Sequence, residues 1–335
     1  MPSRLMSLAT LLVAASLSVS GITGTSPVGA QPDKPAPSRV PSNAEEFDAL
    51  FHKVKNWGRW GPDDQLGAAN LVTAATRRSA VQLAKEGLTI SLAHNVLTDK
   101  AEDNGSPFEH TMLKGFNMDA WRVSYHGYAH THIDALCHIL YKDQTYNGYA
   151  RADVNTEKGC TRLSIDALKQ GMVVRGVLID IPSLKGVPYL EPRTAVYQED
   201  VEAWEKRAGI KVGSGDAVLL RTGRWARRDK LGPWPVGQNA AGFHASIASW
   251  LKARDVAFAG SDAGLEVTPT QVQGVPLPVH TLVITALGVH ILDNHDLERL
   301  AETAARLKRW EFMLTINPLP VTGGTGSPLN TLATF

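Results

Sequence analysis

Residues 125–138 read YHGYAHTHIDALCH, which gathers His126, His130, His132, His138 and Asp134 into one short window. In an extended run, residues two apart point to the same side, so His126, Tyr128, His130, His132 and Asp134 share one face. Neutral imidazole nitrogens and a carboxylate oxygen are ligands for zinc, manganese or iron, and a face that carries several at fixed spacing can hold a divalent ion. One histidine in such a run would read as a hydrogen-bonded core or surface residue. Four with an aspartate in register point to a metal site. His138 lies four residues past Asp134 and off the alternation, where a turn could bring it to the same site as a general base. Taken alone, His280 after Pro276 and Pro278 reads as structural, and Asp293 as a helix cap. The need for ligands from a second chain segment makes both candidates. Cys137, set among these residues, reads as a buried thiol.

The elements around this window must position it. Residues 121–125 read as a strand leading into the histidine run, and 88–96 alternate as another strand. Three apolar runs, 173–181, 217–220 and 256–259, have the composition of buried strands. Between and beyond them, 77–86, 199–208, 243–253 and 297–307 have helical spacing, with Gly87 and Gly209 as C-caps and Asp296 as an N-cap. Residues 164–170 read as a short helix, 312–319 as a last strand, and the polar stretch 99–115 as a surface loop. Strands alternating with helices predict an α/β layered domain.

Composition narrows the function. The chain has 335 residues and a formal net charge of +1 with mixed signs throughout, so it lacks the basic field that nucleic-acid binding needs. Two cysteines are not a disulfide framework. Residues 1–30 read as a secretory signal peptide: Arg4, an apolar run over 5–19, and Val28-Gly29-Ala30 before Gln31. That run is shorter than the roughly 20 residues that span a bilayer. Residues 31–45 read as a flexible, proline-bearing lead-in and 46–335 as one domain. The expectation is a secreted or periplasmic protein that is free of the membrane once the signal is cleaved. Trp57, Trp60, Phe116, Tyr146 and Tyr149 hint at a pocket for a small, aromatic substrate. HExxH, GxSxG and CxxC patterns are missing from the sequence. Gly323, Gly324 and Gly326 are followed by no helix and no Walker lysine, which excludes a phosphate loop.

The run HTHIDALCH at 130–138 resembles the HxGTHxDxPxH motif of the metal-dependent cyclase family, which includes bacterial kynurenine formamidases and isatin hydrolases. VLLRTGRW at 218–225, AGSDAG at 259–264, PVH at 278–280, ILDN at 291–294 and TGSP at 325–328 resemble that family's later blocks in the same order. The resemblance implies a single-domain swivelling β/β/α fold, a bound Zn2+ or Mn2+, a homodimer, and hydrolysis of a C–N or C–O bond beside a carbonyl, as in an arylformamidase. Residue by residue, His132 and Asp134 match metal ligands, His138 the catalytic histidine, and His280 a ligand of a second metal position. Two positions depart from the pattern. Tyr128 stands where the family has its first ligand histidine, leaving His130 or His126 to replace it, with His130 preferred for its register next to His132. Asp293 stands for a late glutamate, which favours one metal over two. The expected reaction is attack of metal-activated water on an amide, lactam or lactone. The alternatives are a polyketide-type cyclase or dehydratase and a non-catalytic exported metal- or ligand-binding protein.

Overall fold

The computed structural model describes residues 40–115 and 117–335. The expected signal peptide, the lead-in up to residue 39 and Phe116 lie outside the described residues. The apolar runs form the centre of the molecule: Met172–Asp180, Ala217–Arg221, Phe258–Ser261 and His290–Asp293 are four adjacent parallel strands. The last three are buried along their whole length, as strands covered on both faces should be. Antiparallel strands complete both flanks. On one side lie Glu311–Ile316, Leu332–Thr334 and Thr89–Ser91, and on the other His132–Asp134 and Gly326–Pro328, giving a curled nine-stranded sheet. Helices pack beside it. Gln198–Ala208 buries Val201 and Trp204 and ends at the left-handed Gly209, and Glu298–Leu307 buries Leu300, Ala301 and Ala304. The expected α/β fold is the observed one.

Several boundaries differ for local reasons. Asn43 Oδ1 accepts from the amides of Glu45 and Glu46, so a helix starts at Ala44, two residues inside the expected lead-in. Thr73 caps a helix at Ala74–Val81, earlier than the expected 77–86. The stretch expected to be a polar loop contains half of a hairpin, Glu109–Leu113 with Met118–Arg122. Both of its faces are exposed, so burial imposes no apolar alternation on its sequence. Trp121 belongs to this hairpin, and residues 123–131 form neither strand nor helix. Among the described residues, no helix is long and apolar enough to cross a membrane.

The strand that matters most for function, His132–Asp134, is inserted between His290–Asp293 and Gly326–Pro328. Its register sets His132 opposite Asp293 and Asp134 opposite Gly326. Just beyond it, Cys137 is not a free thiol: it forms a disulfide with Cys160, at the end of the small Asn155–Thr156/Gly159–Cys160 hairpin. Asn155 Nδ2 also donates to the Cys137 carbonyl at 3.2 Å. The turn between Asp134 and His138 is therefore fastened from below. The bridge closes a loop with a sequence separation of 23, for which restriction of the unfolded chain contributes about 3 kcal/mol. The Cys137→Ala/Cys160→Ala double variant should lose about that much in denaturant unfolding. The native protein under reducing conditions should show the same loss.

Candidate metal centre

The site lies at the carboxyl edge of the parallel strands, the usual place for ligands in an α/β sheet. Asp293 ends its strand there, Glu266 follows Phe258–Ser261, and His132 and Asp134 enter from the neighbouring antiparallel strand. Two groups of side chains converge. In the first, His126 Nδ1 lies 3.0 Å and His132 Nε2 3.4 Å from Asp134 Oδ1. In the second, His280 Nε2 lies 3.2 Å from Asp293 Oδ2 and 3.8 Å from Asp134 Oδ2. Within each group the candidate ligand atoms lie within 4.8 Å of one another, and Asp134 belongs to both.

The residues present fit a divalent cation. His126 Nδ1 and Asp134 Oδ1 are buried, close together, and make no hydrogen bond, as does Asp293 Oδ1 in the second group. Buried polar atoms are seldom left in that state. Each imidazole is also aimed by its far nitrogen. His132 Nδ1 donates to the His130 carbonyl at 2.8 Å, His126 Nε2 meets Thr325 Oγ1 at 2.9 Å, and His280 Nδ1 meets Glu266 Oε2 at 2.5 Å. Gly326 supplies the room, since a Cβ there would stand 2.4 Å from the Ile133 carbonyl and 3.1 Å from the His126 ring.

The electrostatics agree. Burial opposes ionisation of Asp134, but the neighbouring His126 and His132 rings hold its carboxyl well below the usual range. For His132 and His280 burial disfavours the cation, yet the carboxylates outweigh it: Asp134 and Asp293 raise His132, and Glu266 and Asp293 raise His280 well above the ordinary value. Burial pushes Asp293 up. The pocket is built to hold positive charge beside anionic oxygen.

His138 comes to the same place from the turn. Its ring stacks on His126 with centroids 3.9 Å apart and planes 5° from parallel. Burial, only partly offset by Asp134, pushes its pKa down to about 4, so the ring is neutral at physiological pH and can accept a proton. Beside it opens a cavity of about 410 Å³ lined by His138, Ile139, Leu140, Tyr141, Val275 and Leu277 among others. The lining is chiefly apolar, with Thr281 at one side.

Of the residues singled out in the sequence, the structure brings His132, Asp134, His138, His280 and Asp293 together. It does not bring His130. Residues 126–130 form a bend in which Gly127 has φ 125°, so the extended alternation stops before His132. The His130 ring turns away and donates from Nε2 to the Ser106 carbonyl at 3.1 Å, beside a separate cavity of about 520 Å³ shared with Phe108 and Trp121. His126 stands in the metal group instead. Tyr128 fills the space between Gly237 and Gly264, where a Cβ would approach its ring to 3.0 and 2.8 Å. Burial pushes its phenol up to about 12. Glu266 is a member that sequence reasoning missed, and its one signal is that it is the only charged residue between Asp262 and His280. The aromatic residues expected to wall the pocket do other work. Trp57 donates to the Thr285 carbonyl and packs edge-on against Phe51, and the buried Tyr146 bonds Asp64. Trp60 packs against the core, and the Tyr149 hydroxyl donates to the Pro62 carbonyl.

Comparison with known proteins gives a consistent picture. The family described as "Putative cyclase" matches residues 87–265. A crystal structure described as a novel cyclase is 30% identical, superposes with a TM-score of 0.75, and aligns over 85% of this chain and 99% of its own. An isatin hydrolase bound to the product analogue thioisatinate shares the fold at 18% identity, with a TM-score of 0.52 and coverage of 78% of this chain and 98% of its own. Isatin hydrolase A from Ralstonia solanacearum does so at 20% identity, a TM-score of 0.52, and coverage of 78% and 97%. No curated protein matches the chain.

The two histidines competing for one ligand position can be separated. His126→Ala should weaken binding of a divalent ion by about 100-fold or more, whereas His130→Ala should leave it nearly unchanged, as read by competition with a chromogenic chelator. The reverse order would restore His130 as the ligand.

Proposed function

The chain belongs to the cyclase family, and from that premise we propose that it is a metal-dependent hydrolase that cleaves an amide, lactam or lactone bond. The observation that carries the reading is the convergence of His126 Nδ1, His132 Nε2 and Asp134 Oδ1, two of them buried without hydrogen bonds, next to a neutral histidine. His126, His132 and Asp134 would hold the ion, and Asp134, His280 and Asp293 form a second group able to hold another. A divalent ion bound there would acidify water and polarise a carbonyl. Its identity is open to zinc and manganese alike, because nitrogen and oxygen ligands suit both.

The protein's own residues supply the rest. His138, neutral and fixed by its stacking on His126, takes the proton from water as it adds to the carbonyl and returns it to the leaving nitrogen or oxygen. The apolar cavity beside His138 takes the hydrocarbon part of the substrate and keeps bulk water from its flank. Glu266 holds His280 through both its ring and its backbone amide, which fixes the wall opposite. Among hydrolysable groups, an arylformamide-like C–N bond outside a peptide is the finer proposal. It draws on the family resemblance and on a fold shared with proteins named as isatin hydrolases. The proposal extends to location: the N-terminal sequence pattern and the Cys137–Cys160 disulfide both support an exported protein in an oxidising compartment.

Metal identification followed by a screen of aryl formamides, lactams and lactones tests the reading. Turnover that needs the ion and yields ring-opened or deformylated products is the expected result. Cyclised or dehydrated products would replace hydrolysis with the cyclase reading, and ligand binding without turnover would make the protein a binder. His138→Ala should retain the metal and lose about 100-fold or more of kcat. Unchanged kcat would remove His138 from the reaction.

A further inference from the structure

The ligand atom of His126 is carried on irregular backbone. Residues 126–130 belong to neither strand nor helix, so the local fold does not hold His126 as strand pairing holds His132 and Asp134. Something else must fix it, because a ligand on a mobile loop binds an ion weakly.

The carbonyls of that loop are gripped by one buried pair of side chains. Asn294 Nδ2 donates to Gly127 O at 2.6 Å and to His130 O at 3.3 Å, and Arg224 Nη2 donates to Tyr128 O. Arg224 Nη1 in turn donates to Asn294 Oδ1 at 2.8 Å, which fixes the amide with its nitrogen toward the loop. Thr131 Oγ1 donates to Asn294 O at 2.8 Å, so the backbone of Asn294 holds the far end of the same loop. Arg224 is anchored by Asp103 at 3.4 Å, which also takes Arg228 Nε at 2.6 Å, and by the face of Trp225 at 4.1 Å. Asn294, Arg224 and Asp103 are all buried. Asn294 has φ 56°, a left-handed conformation that asparagine tolerates better than most residues, and it directly follows Asp293. One residue thus links the strand end carrying Asp293 to the loop carrying His126.

We propose that Asn294, held by Arg224, is the positioning residue of the metal centre, presetting the 126–130 loop so that His126 Nδ1 faces Asp134. The proposal rests on the metal-dependent reading above. It gives Asn294 no contact with the ion or the substrate; it acts chiefly through His126, and more weakly through the His130 carbonyl that aims His132.

The test is a double-mutant cycle on the full-length protein, read by competitive Zn2+ titration and by the visible spectrum of the Co2+-loaded form. Asn294→Gly keeps the left-handed backbone free of strain, adds no charge and removes the amide donors. It should weaken Zn2+ binding by roughly 10- to 100-fold and shift the Co2+ spectrum toward that of His126→Ala. In the His126→Ala background the further loss should shrink to a few-fold at most, the part that passes through the His130 carbonyl to His132. Equal losses in both backgrounds, or an unchanged affinity, would overturn the assignment and leave Asn294 a structural residue. If Asn294→Gly does not fold, Arg224→Lys serves the same cycle, because a lysine cannot reach the Tyr128 carbonyl, Asn294 and Asp103 together. Wild-type protein that takes up neither metal would overturn the proposed function itself. Loss on His126→Ala alone would keep that function and reject the role of Asn294.

Discussion

The arrangement depends on one buried carboxylate. Asp134 is almost wholly removed from solvent, and an anion in that position needs positive charge close by. His126, His132 and His280 all lie within reach of its two oxygens. The nearby carboxylates raise the pKa of both His132 and His280 against the opposing effect of burial. A divalent cation bound there would satisfy the same oxygens more directly. The strand order that puts His132–Asp134 between Asp293 and Gly326 brings the imidazole and carboxylate of one strand beside the carboxylate of its neighbour.

Much of this was legible in the sequence. The parallel core showed as apolar runs because its strands are covered on both faces, and the candidate metal face showed in His132 and Asp134 because they stand two positions apart in true strand, as the period of two requires. His130 lies away from that face for a physical reason. Gly127, with its positive φ, breaks the extended alternation, and the Thr325 that meets His126 Nε2 lies 199 residues away. Likewise, nothing near Cys137 names Cys160 as its partner, and the 109–122 hairpin carries no apolar stripe because neither face is buried. What escaped the sequence was set by contacts between distant segments.

The family departure at Tyr128 acquires a structural sense in the same way. A bulky ring there needs space, and Gly237 and Gly264 provide it on two sides. The imidazole that faces Asp134 comes from two residues earlier, with Gly326 open to receive its ring and Thr325 beside its Nε2. The change is therefore distributed: a tyrosine, a displaced histidine and three glycines fit one another. Substituting any one of them in isolation would leave a clash or an empty space.

The placement of Gly326–Pro328 also orders events in time. Thr325 and Gly326 lie near the end of the chain, yet they orient and admit the imidazole of His126. Until that strand docks, His126 lacks the Thr325 hydroxyl beside its Nε2 and one edge of the His132–Asp134 strand is unpaired. Docking of Gly326–Pro328 is therefore a single step that both pairs the strand carrying Asp134 and seats the imidazole beside it.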